Sequence, residues 1–307
     1  MTDAPDDRST DPAAAALWRP YCQMKTAAPA YRAARTDGVR IHLEDGRALV
    51  DGTSSWWTAC HGYNHPHIRA AVESQLRRMP HVMLGGLDHA PAAELARRLA
   101  RLAPGDLDHV FFSESGSVSV EVAMKIAVQY WLNRGERRTR FVAFTHAYHG
   151  DTFAAMSVCD PEEGMHSTFA GVLEPQRVVP LPGTAGELRD FDRFLARHRA
   201  GVAAIVLEPL VQAAGGMKFH DAGTLAAIAR IAERHGVLLI LDEIAVGFGR
   251  AGTLFACEQA GVVPDVMTLS KALTGGTLPL AATLARRHVF DAFWSDDPSH
   301  ALMHGPT

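Results

Sequence analysis

The stretch VLLILDEIAVGFGRAG, from Val237 to Gly252, decides the fold class of this 307-residue chain. It opens with a continuous apolar run, and that run ends directly in the carboxylates Asp242 and Glu243. Such a run favours a strand that is buried on both faces, as in parallel sheets covered by helices. Ligands of these sheets collect at the carboxyl ends of the strands, so Asp242 is a candidate site residue.

The same pattern extends in both directions along the chain. We predict strands at 109–112, 141–144, 203–207, 237–241 and 265–269, and helices at 67–79, 92–102, 117–132 and 224–235. Alternating strands and helices predict an α/β fold, a mostly parallel doubly wound sheet with helices on both faces. Before it, Val39–Leu43 and Ala48–Val50 flank the turn Asp45-Gly46 as a predicted hairpin in an N-terminal segment of a smaller domain. The predicted division is a disordered tail (1–16), an N-terminal segment (17–65) and a large domain (66–307).

Composition excludes several classes of protein. The formal net charge is −4, with acidic and basic residues interspersed, which argues against a nucleic-acid partner. The four cysteines are scattered and no long apolar run or signal design occurs, so we expect a cytoplasmic protein without a membrane span. The histidines His61, His65 and His67 lack the cysteine or carboxylate spacing of a zinc site, so we expect no metal.

Three further motifs follow predicted strands. Ser113-Glu-Ser-Gly116-Ser117 opens a helix and suits a phosphate, although it also suits a tight turn with a serine cap. Lys271 follows an apolar strand and precedes small residues, and a desolvated lysine there can attack an aldehyde carbon. Tyr148 follows another strand and can stack on a planar ring. The alternatives are a solvated Lys271, ordinary packing of Tyr148, backbone capping by His146 and His149, and a capping or magnesium-binding Asp242.

Taken together, these motifs carry a family resemblance. The stretches LDEIAVGFGRAG and PDVMTLSKALTGG resemble the signature of class III aminotransferases, which are pyridoxal-phosphate enzymes of fold-type-I architecture. Further segments resemble the branch of that class that acts in biotin biosynthesis: Trp18–Tyr21, Asp51–Trp57, His61–Pro66, His81–Met83, Tyr148–Thr152, Met156–Pro161 and Met303–Thr307.

The resemblance implies a role for each matching residue. Lys271 would hold pyridoxal 5'-phosphate as a Schiff base, Asp242 would pair with the pyridine nitrogen, and Tyr148 would cover the ring. Gly116 and Ser117 would hold the phosphate. Pro306 and Thr307 would reach the phosphate of a neighbouring subunit, so the active site would be shared in a homodimer. Tyr21, Trp56 and Gly305 match substrate-contacting positions, together with Tyr148 and Lys271, and Glu208 lies near the cofactor in this class.

The implied reaction transfers an amino group from S-adenosylmethionine to 8-amino-7-oxononanoate. Two other interpretations stay open: a class III aminotransferase with another donor or acceptor, such as ornithine or 4-aminobutyrate, or an inactive remnant that binds the cofactor without turnover. The remnant is considered because relatives continue past the His-Gly-Pro-Thr segment into a small C-terminal domain, which a chain ending at Thr307 would lack.

Overall fold

The computed structural model describes residues 16–162, 165–169 and 171–305. The chain divides into two compact units, Met1–Pro80 and His81–Thr307. The predicted tail falls, except for Ala16, outside the described residues, and so do Pro306 and Thr307. The predicted domain boundary between residues 65 and 66 stays a prediction.

The first unit contains a small antiparallel sheet. Strands β1 (Ala33–Asp37), β2 (Arg40–Leu43) and β3 (Ala48–Val50) pair in that order. The predicted hairpin is therefore confirmed as β2–β3, and Gly46 in its turn has a φ of 91°, which glycine adopts without a Cβ clash. A short turn, α1 (Ser54–Trp57), and a helix, α2 (Pro66–Arg78), complete the unit.

The second unit is built on a seven-stranded sheet with the strand order β4-β12-β11-β10-β7-β5-β6. All strands run parallel except β12, which is antiparallel to both of its neighbours. The strands are β4 (His109–Ser113), β5 (Arg140–Phe144), β6 (Arg177–Val179), β7 (Val202–Leu207), β10 (Leu238–Asp242), β11 (Val266–Leu269) and β12 (Ala281–Ala285), with β8 (Val211–Gln212) and β9 (Lys218–Phe219) in a separate hairpin.

Helices cover both faces of this sheet, as predicted. The helices are α3 (Ala90–Leu102), α4 (Gly116–Asn133), α5 (Phe153–Ser157), α6 (Ala185–His198), α7 (Ala222–His235) and α8 (Arg287–Asp291), with 3-10 turns at Met165–Phe169, Ala256–Ala260, Lys271–Thr274 and Pro298–His300. Alternate residues of β10 enter opposite cores: Leu239 and Leu241 pack with α3, α6 and α7, whereas Leu238 and Ile240 pack with α4 and α8. Across the described ranges, no helix is long and apolar enough to cross a membrane.

Candidate active site

Four neighbouring strands bring polar side chains to one edge of the sheet. Lys271, Asp242, Glu208 and Tyr148 lie at or just after the ends of β11, β10, β7 and β5, which are consecutive in the sheet. Because these strands are parallel, their carboxyl ends meet at the same edge. The structure thus brings the predicted lysine, aspartate and tyrosine together, with Glu208 between them.

Asp242 is fixed by three hydrogen bonds in a buried position. The residue is only 4 % exposed. Oδ2 lies 2.8 Å from Nδ1 of His149, while Oδ1 accepts from the amide of Ile244 at 3.0 Å and from the hydroxyl of Thr268 at 3.3 Å. These contacts hold one carboxylate orientation at the strand end, and donors of this kind stabilise the negative charge of a buried carboxylate.

The contact with His149 was not predicted from the sequence. We considered only that His149 caps local backbone, and that is wrong, because its ring is buried against Asp242. Burial lowers the pKa of His149, but the hydrogen bond to Asp242 and the charges of Asp242 and Glu208 together raise the pKa above its ordinary value. The one available signal was its position next to Tyr148. Nε2 of His146 lies 2.7 Å from Nζ of Lys218.

Lys271 begins a 3-10 turn directly after Ser270 and has a φ of 38°. A lysine in this region of backbone conformation is strained, and such strain is concentrated at functional sites. Burial lowers the pKa of the Lys271 ammonium, and the nearby charges of Asp242 and Glu208 offset part of this shift. The lowered pKa increases the fraction of neutral, nucleophilic amine.

Glu208 connects two loops at the sheet edge. Its two carboxyl oxygens accept from the amides of Tyr148 and Ala213, both at 3.0 Å. Burial raises the pKa of Glu208 to about 7, and the charge of His149 opposes that shift. Glu208 therefore fixes the backbone that carries Tyr148.

Tyr148 is partly buried, and its hydroxyl donates to Oδ1 of Asp151 at 3.0 Å. The amide of Asp151 in turn donates to Oγ of Ser117 at 3.0 Å. Gly150, between them, has a φ of 127°, and a Cβ there would lie 2.2 Å from Oγ of Ser117. The tyrosine loop and the phosphate loop therefore touch at a position that only glycine fits.

Gly116 and Ser117 are the first two residues of α4, after the cap residue Ser115, whose hydroxyl accepts from the amide of Val118 at 3.3 Å. Amides in the first turn of a helix have no partner within the helix and favour an anion. Since Oγ of Ser117 accepts from Asp151, its own proton stays available to the same anion. A Cβ at Gly116 would lie 3.1 Å from Cδ1 of Ile244, so the loop packs closely against the segment after Asp242.

The chain leading to Gly305 lies along α4. Gln129 donates to the carbonyl of Ala301 at 2.6 Å, and Nζ of Lys125 lies 3.2 Å from Nδ1 of His304. Successive contacts step toward the first turn of α4, so Gly305 follows a segment that runs toward the predicted phosphate site. The predicted roles of Pro306 and Thr307 lie outside the described residues.

Tyr21 and Trp56 lie together in the first unit. Their ring centroids are 6.0 Å apart in an edge-to-face arrangement, and both side chains are more than half exposed. Trp56 belongs to the α1 turn, in which all four residues have positive φ. Their role in contacting substrate stays a prediction.

In chemical terms, the edge of the second unit combines an anion site, a fixed carboxylate and a desolvated amine. No three His, Cys, Asp or Glu side chains of the described ranges are grouped to hold a metal ion. The arrangement can bind a phosphorylated aldehyde through the amine of Lys271. This is the donor set of a pyridoxal-phosphate enzyme rather than of a nicotinamide site.

The fold and this site define an aminotransferase. The chain belongs to the family described as aminotransferase class-III, whose model matches residues 21–307.

Similar proteins indicate which aminotransferases within this family the chain resembles. The chain is 48% identical over 304 residues to adenosylmethionine-8-amino-7-oxononanoate aminotransferase of Mycobacterium leprae, covering 96% of this chain and 70% of the relative. It is similar to the crystal structure of the protein of that name from Methanocaldococcus jannaschii, with a TM-score of 0.89, 33% identity, and 95% and 68% of the two chains covered. It is also similar to a pyridoxal-phosphate-bound amine transaminase from an uncultivated Pseudomonas species, with a TM-score of 0.85, 32% identity, and coverage of 94% and 69%.

Proposed function

We propose that this chain transfers an amino group from S-adenosylmethionine to 8-amino-7-oxononanoate, giving 7,8-diaminononanoate, with pyridoxal 5'-phosphate as cofactor. One observation carries the proposal: Lys271, Asp242, Glu208 and Tyr148 lie at the ends of four consecutive strands. The names of the similar aminotransferases supply the two substrates. The step belongs to biotin biosynthesis.

The residues at the sheet edge fit pyridoxal phosphate. The first-turn amides of α4 at Gly116 and Ser117 would hold the phosphate, because this helix end favours an anion. Asp242, buried and held by His149, would pair with a protonated ring nitrogen. Tyr148 would lie over the ring, and the amine of Lys271 would bond to the aldehyde carbon.

When bound, pyridoxal phosphate supplies a ring that takes up electron density from the substrate carbon. The protein contributes charge and proton transfer. Asp242 keeps negative charge at the ring nitrogen, and its bonds to His149, Ile244 and Thr268 keep the carboxylate from turning away. Lys271 would act as the general base at the substrate α-carbon, for which its lowered pKa is suited.

The two substrates would contact the aromatic side chains Tyr21, Trp56 and Tyr148, and also Gly305, as the family resemblance implies. A sulfonium cation is attracted to the faces of such rings, and exposed Trp56 offers the largest one. Pro306 and Thr307 would complete the phosphate site of a second copy in a homodimer. The cytoplasmic location rests on composition and stays a prediction.

The position of the cofactor is tested by borohydride reduction and peptide mapping. After incubation with pyridoxal phosphate, reduction should leave a pyridoxyl group on Lys271, and Lys271→Ala should remain unlabelled. Lys125, which lies on the same unit, is the matched comparison, since Lys125→Ala should keep the label. A label on any other lysine contradicts the assignment.

The amino donor is tested by offering S-adenosylmethionine, ornithine and 4-aminobutyrate separately to the cofactor-loaded chain. We expect the cofactor's visible absorbance band to be lost with S-adenosylmethionine and 7,8-diaminononanoate to form when 8-amino-7-oxononanoate is added. The likeness to an amine transaminase makes another donor the competing candidate. Conversion with ornithine or 4-aminobutyrate but not with S-adenosylmethionine would decide for that candidate, and absence of turnover with every donor would decide for a cofactor-binding remnant.

A further inference from the structure

A cavity opens at the edge of the large sheet that lies opposite to Lys271. Its volume is about 420 Å³, and it lies between the amino-terminal ends of β10 and β11 and the carboxyl-terminal halves of α4 and α7. A volume at the lower end of the range for ligand pockets suits a small molecule. No residue with a role in the proposed transamination lines this cavity.

Tyr130 gives the cavity a hydroxyl that lacks a partner among the described residues. The residue as a whole is 6 % exposed and lines the cavity, and its hydroxyl makes no hydrogen bond to any residue in the described ranges. Its neighbour Trp131, by contrast, donates to the carbonyl of Ala203 at 2.9 Å. Because the Tyr130 hydroxyl is accessible rather than sealed inside the protein, a ligand in the cavity can form a hydrogen bond to it.

Helix α7 supplies two charges of opposite sign to the same cavity. Arg230 and Glu233 are both exposed and one helical turn apart, and neither forms an ion pair or side-chain hydrogen bond within the described part of the chain. Residues at this spacing lie on one face of a helix. The helix thus presents an unpaired cation and an unpaired anion side by side.

The other charged groups of the cavity are already engaged. Asp265 accepts from the amide of Leu239 at 2.7 Å and lies 3.1 Å from Nε2 of His288, while Nε of Arg286 donates to Asp106 at 2.6 Å. The charges open to a ligand are therefore those of Arg230 and Glu233. The remaining surface is mainly small and apolar, formed by Ala226, Ala229, Ala260, Val262 and Val263.

We propose that this cavity is a second binding site, and that its ligand is a free α-amino acid with a short apolar side chain. The carboxylate binds Arg230 and the hydroxyl of Tyr130, the ammonium group binds Glu233, and the side chain contacts the alanine and valine surface. A zwitterion pairs with both charges and also offers a hydrogen bond to the Tyr130 hydroxyl, which an ion of one sign does not.

Calorimetric titration of the cofactor-loaded chain tests the ligand class. L-valine is the probe, isobutylamine lacks its carboxylate, and isovalerate lacks its amine. We expect L-valine to bind and each analogue to bind at least about tenfold more weakly, as the loss of a charge-assisted hydrogen bond implies. Equal binding of isovalerate would reduce the cavity to an anion site and overturn the proposal, and so would the absence of L-valine binding at millimolar concentration.

Variants locate the site. Tyr130→Phe and Arg230→Gln should each weaken L-valine binding about tenfold or more. Arg189→Gln, on the exposed face of α6, is the matched control and should bind L-valine as the parent chain does. Lys271→Ala should also retain binding, because this cavity is separate from the transamination site. Loss of L-valine binding in Lys271→Ala contradicts the assignment, and so does unchanged binding in both cavity variants. Because Arg230 is exposed, Arg230→Gln keeps the test valid if Tyr130→Phe folds poorly.

Discussion

At the scale of single residues, the buried pair of Asp242 and His149 is the most consequential contact of the site. The two residues are 4 % and 2 % exposed, and their polar atoms are 2.8 Å apart. His149→Leu would leave a buried carboxylate without its strongest donor. We expect the free energy of unfolding to fall by about 3 kcal/mol, measured by denaturant titration of the cofactor-free chain.

A double-mutant cycle separates this pair from general packing. Asp242→Asn removes the charge that His149 supports, so the double variant should lose clearly less stability than the two single variants added together. Strictly additive losses would mean that the two residues do not stabilise each other.

Gly150 gives a second prediction at this scale. Its φ is 127°, and a Cβ added at this position would lie 2.2 Å from Oγ of Ser117, which leaves no room for a side chain. Gly150→Ala should separate the tyrosine loop from the phosphate loop, lower stability by about 3 kcal/mol and weaken pyridoxal-phosphate binding. Gly52→Ala is the comparison, because a Cβ there meets nothing within 4 Å. Equal melting temperatures for the two variants would contradict the steric argument.

The sequence predicted the site residues that stand at strand ends, and the family resemblance placed Glu208 near the cofactor, but the contact of His149 with Asp242 was not predicted. Lys271 and Asp242 each follow an apolar run, which marks the sheet edge. The ring of His149 contacts Asp242, and the carboxylate of Glu208 contacts the backbone amide of Tyr148, across 93 and 60 residues of sequence. A single sequence does not show which residues so far apart come into contact.

At the scale of elements, the α1 turn is unusual because Ser54, Ser55, Trp56 and Trp57 all have positive φ. Left-handed backbone costs roughly 1 kcal/mol or more for each such residue. Asp51 offsets this cost, since its carboxylate accepts from the amides of Thr53 and Ser55 at 3.1 and 2.7 Å and from the hydroxyl of Tyr63 at 2.5 Å.

Asp51→Ala should therefore release the turn that carries Trp56. We expect a changed tryptophan emission spectrum and a raised KM for the amino donor with a smaller change in kcat, because the turn positions a residue that we propose contacts substrate. Asp37→Ala, at an exposed aspartate of the same unit, is the control. An unchanged spectrum together with an unchanged KM would show that the turn persists without the carboxylate.

Element predictions were accurate where the apolar pattern was long and failed where the chain reverses quickly. The strands at β4, β5, β7, β10 and β11 were placed within one or two residues of their observed bounds. Strand β12 was not predicted, and neither was its antiparallel direction. Its connection from Leu269 to Ala281 holds a single 3-10 turn, which is too short for the crossover that a parallel strand requires.

At the scale of the whole molecule, Glu208 and Glu243 are buried carboxyl groups whose pKa values burial raises. Glu208 and Glu243 are 3 % and 0 % exposed, and each accepts two backbone amides. Burial nevertheless raises the pKa of each from the ordinary 4.5 to about 7. The folded chain therefore binds more protons than the unfolded chain between these two values.

This difference makes stability depend on pH in a defined direction. The contribution is fully present below the unfolded pKa of 4.5 and is lost as the pH rises through about 7, on the order of 3 kcal/mol for each group. His149, with its raised pKa, acts in the same direction. We expect the free energy of unfolding of the cofactor-free chain to fall between pH 4.5 and about pH 7.

Glu208→Gln and Glu243→Gln should each flatten this dependence of the unfolding free energy on pH, whereas Glu73→Gln on exposed α2 should not. A slope that neither buried substitution reduces would mean that these carboxyl groups are ionised throughout, held so by the amides that they accept.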